Sequence, residues 1–120
     1  SVSDVLSVCC PASKETINLI NTKTISLLPD GAIVTNVARG DIVDDDALIE
    51  ALDSKKVSAV GLDVYKNEPK LNPGYLKHSR AFVLPHLGSA TFETRTAMAN
   101  LAIDNISEFF ETGSCKNKVN

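Results

Sequence analysis

The sequence has few of the residues that build metal centres, disulfide networks or basic binding surfaces. Its three cysteines are the adjacent Cys9 and Cys10 and the distant Cys115, and no spacing of cysteine and histidine matches a zinc site. The formal net charge is −3 and the basic residues are scattered, so we expect neither a nucleic acid partner nor an anionic membrane partner. No apolar run approaches the roughly 20 residues of a membrane span. We therefore predict no metal site, and free thiols in a reducing, cytoplasmic setting.

The apolar content is sufficient for one sizeable core, because 43% of the residues are hydrophobic. Short runs of apolar and β-branched residues predict four strands, and segments with helical spacing separate them. The predicted strands cover residues 5–10, 32–38, 59–65 and 81–84. This alternation predicts an α/β fold with a parallel sheet whose strands are covered by helices on both faces.

Two helices have clear end signals in the sequence. Asp44 is the predicted N-cap of the helix between the second and third strands. The last helix is predicted over about 91–112, with Thr91 or Ser89 as its cap and Gly113 just beyond its end. Apolar side chains recur along this helix at helical spacing. Three of them are expected to lie in the core: Met98, Phe109 and Phe110.

The residues that could take part in catalysis or binding lie at or near the carboxyl ends of the predicted strands. They are Cys10 and Pro11, then Arg39, then Asp63 and Glu68, and finally His86. In an open parallel sheet, the loops at this edge form the ligand-binding crevice. His86 alone would be interpreted as a surface histidine, but unrelated surface residues have no reason to share one edge. We therefore expect a single site there.

Arg39, Glu68 and His86 suit the reduction of a 2-oxo acid. Imidazole titrates near neutral pH and can donate a proton to a carbonyl oxygen. Glu68 could hydrogen-bond to one ring nitrogen of His86 and favour the imidazolium, while the guanidinium of Arg39 suits a carboxylate and the adjacent carbonyl oxygen. We expect Arg39 to orient the substrate and polarise its ketone while His86 protonates the oxygen.

No side-chain nucleophile is evident among these residues. Cys9 and Cys10 are the contenders, but both end a predicted buried strand, where inert core cysteines are the commoner case. Hydride from a cofactor is the better partner for the ketone carbon. Asp63 could then accept the amide hydrogens of a nicotinamide carboxamide; the alternative is a structural role in capping the loop that follows.

Three motifs together resemble the D-isomer-specific 2-hydroxyacid dehydrogenases. They are residues 37–40 (VARG), 61–65 (GLDVY) with 67–69 (NEP), and 85–91 (PHLGSAT), and they span most of the chain in order. The resemblance implies that Arg39 binds the substrate and polarises its carbonyl, that His86 contacts the substrate as the acid/base, and that Glu68 is the partner of His86. It also implies contacts with NAD or NADP at Cys10, Pro11, Thr16, Val37, Ala38, Arg39, Asp63, His86 and Gly88.

Within this family, residues 88–91 and 72–76 are most similar to glyoxylate and hydroxypyruvate reductases. The resemblance therefore implies hydride transfer between NAD(P)H and a small 2-oxo acid, and a homodimer formed through the coenzyme domain. Two alternatives stay open. One is a non-catalytic binding module like the C-terminal-binding corepressors, which keep the fold and the three residues. The other is a non-catalytic chain whose core is completed by another copy.

The glycine fingerprint of dinucleotide-binding domains, G-x-G-x-x-G, does not occur in the sequence. In the family it lies upstream, together with the charged residue that selects NAD or NADP and with most of the substrate domain. We therefore expect residues 1–113 to be the C-terminal half of a Rossmann-type domain that closes with a long helix, and 114–120 to be a tail. The isolated chain is expected to bind cofactor weakly and to be inactive.

Overall fold

The computed structural model describes residues 2–119, which form two compact units that divide between His86 and Leu87. The first unit contains β1 (Val5–Val8), α1 (Thr22–Ser26), β2 (Ala32–Asn36), α2 (Asp45–Asp53), β3 (Val57–Leu62) and β4 (Ala81–Val83). Short 3-10 turns occupy Gly40–Ile42 and Tyr75–Lys77. The second unit contains α3 (Phe92–Thr112).

The four strands form one parallel sheet in the order β1-β2-β3-β4. Asn36, the last residue of β2, pairs with Val8 on one side and with Leu62 on the other, so the carboxyl ends of these strands lie at one edge. The predicted Rossmann-type parallel fold is therefore confirmed. All four predicted strands extend too far at this edge, and Asp63 lies directly after β3 rather than inside it. Beyond the strand ends, the N–H groups of Ala38 and Tyr65 bond to the side chains of Asn36 and Glu68 instead of to a neighbouring strand.

The core of the first unit lies between one face of the sheet and the helices α1 and α2. It includes Val8, Val34, Val60 and Leu62 from the strands and Ile25, Leu48 and Leu52 from the helices. The side chains of the opposite face are exposed, including those of Val5 and Phe82. The expectation that every strand is covered on both faces is thus wrong for this unit, because its own helices pack on one face.

Helix α2 begins as the sequence predicts. The side chain of Asp44 accepts a hydrogen bond of 3.2 Å from the backbone N–H of Ala47, which satisfies a donor of the first turn. This cap fixes the point where the chain leaves the 3-10 turn after Arg39 and enters the helix.

The ends of α3 are also confirmed, but its predicted burial is not. Thr91 accepts from the backbone N–H of Thr94, and Gly113 adopts a left-handed φ of 77°. No residue of α3 is buried; Met98, Phe109 and Phe110 are 55%, 52% and 82% exposed, so the expectation that they lie in the core is wrong. Helical periodicity identifies an apolar face but does not supply the surface that covers it. Within residues 2–119, no helix is long and apolar enough to cross a membrane.

Candidate active site

A cleft of about 560 Å³ opens beyond the carboxyl ends of β1 and β2. It is lined by residues 9–12 from the loop after β1 and residues 37–39 from the turn after β2. Five residues with predicted cofactor contacts therefore share one cleft: Cys10, Pro11, Val37, Ala38 and Arg39. Parallel sheets of this type bind dinucleotides in the crevice at this edge, and the lining residues other than Arg39 have no charged side chain.

Thr16 supports the loop that forms one wall of this cleft. Its hydroxyl donates to the carbonyl of Pro11 at 2.9 Å and accepts from the backbone N–H of Ser13 at 2.7 Å. Thr16 therefore holds the backbone of Pro11, one of the residues that line the cleft.

The turn after β2 is held by Asn36, a residue that the sequence motifs do not identify. Asn36 is 1% exposed. Its side chain donates to the carbonyl of Arg39 at 2.9 Å and accepts from the backbone N–H of Ala38 at 3.0 Å. The sequence does contain one indication of this role: Asn36 has an amide side chain at the end of an apolar strand. A polar group buried there requires hydrogen-bond partners.

Arg39 is exposed, and its Nη1 donates to the carbonyl of Ala38. The next residue, Gly40, packs directly against the backbone that follows β3. A Cβ at Gly40 would overlap with the carbonyl group of Tyr65, so only glycine allows this approach. The turn that carries Arg39 is therefore seated against the segment that leads to Glu68.

The imidazole of His86 and the carboxylate of Glu68 are in direct contact. Nδ1 of His86 lies 2.8 Å from Oε2 of Glu68, and Oε1 of Glu68 accepts from the backbone N–H of Tyr65 at 3.1 Å. Because an ionised carboxylate only accepts hydrogen bonds, the proton of this contact belongs to Nδ1. This arrangement fixes the orientation of the ring and leaves Nε2 as the nitrogen that can exchange a proton with a substrate.

Backbone hydrogen bonds connect the ends of β2, β3 and β4. The N–H of Asp63 donates to the carbonyl of Asn36, and the N–H of His86 donates to the carbonyl of Asp63, both at 3.0 Å. His86 has a left-handed backbone with φ of 56°. This conformation costs a non-glycine residue about 1 to 2 kcal/mol, and such strain is concentrated at functional sites.

The structure brings two of the predicted site residues into contact and places two others after neighbouring strands. Glu68 and His86 are in contact, and Arg39 and Asp63 lie at the same edge of the sheet. Within residues 2–119, the guanidinium of Arg39 bonds to the carbonyl of Ala38 and to neither Glu68 nor His86. Gly88 belongs to the second unit, where it precedes the cap of α3.

Comparison with known proteins identifies the family. Residues 1–88 match the family described as D-isomer specific 2-hydroxyacid dehydrogenase, NAD binding domain. The chain belongs to this family. The resemblance inferred from the three motifs is confirmed, and so is the expected cofactor, NAD or NADP.

Individual dehydrogenases of this family are similar to the chain in sequence and in fold. The chain is 42% identical over 110 residues to a glycerate dehydrogenase of Hyphomicrobium methylovorum, covering 92% of this chain and 34% of that protein. A glyoxylate reductase from Paecilomyes thermophila matches with a TM-score of 0.92 and 40% identity, covering 99% of this chain and 36% of the other.

A third relative was solved with a bound cofactor. The NADPH-dependent glyoxylate/hydroxypyruvate reductase of Sinorhizobium meliloti, in complex with NADP and malonate, matches with a TM-score of 0.90 and 36% identity. The match covers 94% of this chain and 35% of that structure. The chain thus spans about a third of the length of the relatives it matches.

Proposed function

We propose that the protein containing this chain is an NAD(P)-dependent oxidoreductase that interconverts a small 2-oxo acid and the corresponding D-2-hydroxy acid. The observation that carries the proposal is the contact of 2.8 Å between Nδ1 of His86 and Oε2 of Glu68 at the carboxyl edge of the sheet. A bound nicotinamide would supply the hydride for reduction of the carbonyl carbon.

His86 is the proposed acid/base. Its Nε2 gives a proton to the carbonyl oxygen during reduction and removes it during oxidation. Glu68 stabilises the imidazolium through Nδ1 and keeps the ring in one orientation, because its other oxygen is held by the N–H of Tyr65. The pair is anchored to the sheet by the hydrogen bond from the N–H of His86 to Asp63.

Arg39 is the proposed binding residue for the substrate carboxylate. Its side chain is exposed, and the contact with Ala38 uses Nη1, so a bound carboxylate can replace that carbonyl as the acceptor. A guanidinium in this position also polarises the adjacent ketone. For Asp63 we propose a contact with the nicotinamide carboxamide; its backbone bonds to Asn36 and His86 suit the structural alternative equally well.

The proposed substrates are glyoxylate or hydroxypyruvate. They are supported by the similarity of the chain to relatives named as glyoxylate reductases and as a glyoxylate/hydroxypyruvate reductase.

We also propose a division of the chain into two parts. Residues 1–113 are the C-terminal half of the coenzyme domain, and residues 114–120 are a tail.

We also propose a homodimer formed through the coenzyme domain. The exposed sheet face and the exposed apolar side chains of α3 support it, because apolar surfaces of this kind are normally covered.

The cytoplasm is the proposed location, supported by the free thiols of Cys9, Cys10 and Cys115.

Turnover of glyoxylate and hydroxypyruvate by the full-length protein, with NADH and with NADPH, tests the proposed function. His86→Ala is expected to lower kcat by about 10²- to 10⁴-fold. His78→Gln is the matched control, because His78 is the other histidine of the sequence. Its Nε2 lies 3.3 Å from Oδ1 of Asp53, and it contacts neither Glu68 nor Arg39 among the described residues. Near-normal kinetics of His86→Ala would refute the mechanism. Absence of turnover by the wild-type protein, together with peptide binding regulated by NADH, would support the corepressor-like alternative instead.

A further inference from the structure

We propose that Asn36 is a positioning residue that holds the turn of Arg39 in the geometry required to bind the substrate carboxylate. The inference rests on the proposed function, because it gives Asn36 its effect through Arg39. Asn36 does not line the cleft and takes no part in the hydrogen bond between His86 and Glu68. We therefore expect it not to touch the reacting atoms.

The side-chain amide of Asn36 bonds to backbone groups on both sides of the peptide bond between Ala38 and Arg39. Its oxygen accepts from the N–H of Ala38 at 3.0 Å, and its Nδ2 donates to the carbonyl of Arg39 at 2.9 Å. Its own backbone carbonyl accepts from the N–H of Asp63 at 3.0 Å. One buried residue thus connects the turn to the end of the neighbouring strand β3.

The turn is also fixed on its far side. Gly40 packs against the carbonyl group of Tyr65, so the backbone of Arg39 is confined between the bonds to Asn36 and this contact. The side chain of Arg39 is nevertheless exposed. The backbone is therefore ordered while the guanidinium can move from Ala38 to a ligand, which is the combination that a binding residue needs.

Asparagine is the side chain whose shape and hydrogen-bonding groups suit this position. Aspartate has the same shape but cannot donate to the carbonyl of Arg39, and it would place a buried charge beside that oxygen. Alanine would remove the acceptor of the Ala38 N–H, and the carbonyl of Arg39 would keep the 3.4 Å bond from the N–H of Ile42 but lose the shorter bond from Asn36. Both substitutions are expected to loosen the turn without removing any group that contacts the substrate.

A double-mutant cycle in the full-length protein tests the inference. Asn36→Ala is expected to lower kcat/KM for glyoxylate by about tenfold or more, with the larger part of the change in KM. In the Arg39→Ala background, the same substitution is expected to change kcat/KM by less than about twofold, because its effect passes through the missing side chain. Asn36→Asp is expected to behave like Asn36→Ala.

Val34→Ala is the matched control. Val34 is fully buried in the same strand, two positions before Asn36, but its side chain belongs to the core. It is expected to lower Tm while leaving kcat/KM within about twofold at a temperature where the variant is folded. Additive effects of Asn36→Ala and Arg39→Ala would overturn the inference, since additivity indicates independent action.

Hydrogen exchange at the amide of Ala38 provides a readout that does not depend on activity. Asn36→Ala is expected to accelerate this exchange, relative to the wild type, by more than Val34→Ala does. Unchanged exchange would also overturn the inference. If the wild-type protein fails to turn over, or if Arg39→Ala retains full activity, the proposed function of Arg39 fails and the inferred role of Asn36 fails with it. The exchange result still shows in that case whether Asn36 orders the turn.

Discussion

The hydroxyl of Tyr75 donates a hydrogen bond of 2.9 Å to Oδ1 of Asp45. The two residues are buried, and the contact joins the first turn of α2 to the segment that follows the loop of Glu68. A parallel contact between Nδ2 of Asn72 and Oδ1 of Asp46, at 3.1 Å, lies beside it. The position of the Glu68 loop therefore depends on its attachment to α2 as well as on the sheet.

Tyr75→Phe is expected to destabilise the protein by about 1 to 3 kcal/mol, because the buried carboxylate of Asp45 loses its donor. The midpoint of urea unfolding measures this loss. Asp30→Asn is the control, since it breaks an exposed ion pair with Lys56 and is expected to change the midpoint little. Equal effects of the two substitutions would contradict the importance of the buried contact.

Asp45→Asn is expected to change how stability depends on pH. Burial raises the pKa of the Asp45 carboxyl, and the Tyr75 hydroxyl and the charge of Lys66 offset part of this rise. A raised pKa means that the folded state binds the proton more tightly than the unfolded state. The stability contributed by the protonated form is therefore present below the usual aspartate range and is lost as pH rises through the folded-state pKa.

The asparagine variant lacks this titration. Its stability relative to the wild type should accordingly increase as pH rises from about 4 towards neutral. Urea unfolding of both proteins across this range measures the difference. A difference that stays constant with pH would show that Asp45 is not titrating with a raised pKa.

Glu68→Gln is expected to move the pH optimum of 2-oxo acid reduction to lower values. Glutamine retains a polar partner for the ring of His86 but removes the negative charge that stabilises the imidazolium, so the proton donor is lost at a lower pH. Profiles of kcat/KM for glyoxylate against pH measure the shift. Glu50→Gln, an exposed position on α2, is the control and should leave the profile in place. An unshifted profile for Glu68→Gln would separate Glu68 from the acid/base step.

Gly40→Ala is expected to weaken both stability and substrate binding, because the new methyl group overlaps with the carbonyl of Tyr65 and pushes the turn of Arg39 away. Gly31→Ala is the informative control. Gly31 has a φ of 81° with open space around it, so alanine there costs about 1 to 2 kcal/mol through backbone strain and leaves the site intact. Tm and the KM for glyoxylate distinguish the two variants. A Gly40→Ala protein with the KM of Gly31→Ala would show that the close contact does not position Arg39.

The 120-residue chain by itself is expected to bind NADH weakly and to catalyse no reduction of glyoxylate. Its sequence lacks the glycine fingerprint that holds the pyrophosphate in these domains. Fluorescence titration with NADH and a glyoxylate-dependent oxidation assay measure the two properties. Measurable turnover by the isolated chain would overturn the prediction.

The sequence was sufficient to predict the features that depend on local chemistry. The helix caps are as predicted: Asp44 and Thr91 cap the starts of α2 and α3, and Gly113 follows the end of α3. Capping is predictable because it depends on one residue and its close neighbours in the sequence. The convergence of Glu68 and His86 was also predictable, since parallel strands bring their carboxyl ends to one edge.

Features that depend on tertiary contacts could not be predicted in the same way. The partners of Asn36 are backbone groups of a turn, and no residue pattern identifies them. Met98 and its apolar neighbours on α3 satisfied the helical pattern, but the pattern does not reveal whether a covering surface is present. Asp63 belongs to an apolar run that continues past the last paired residue of β3, so the run does not show where the strand ends.

The hydrogen bonds from His86 to Asp63 and from Asp63 to Asn36 have a consequence for divergence within the family. Main-chain bonds do not depend on which side chains the participating residues carry. Core substitutions that preserve the strand register therefore leave the spacing of the three strand ends unchanged. In the proposed enzyme, preference for one acid over another can then evolve through residues outside this edge, while the contact between His86 and Glu68 is retained.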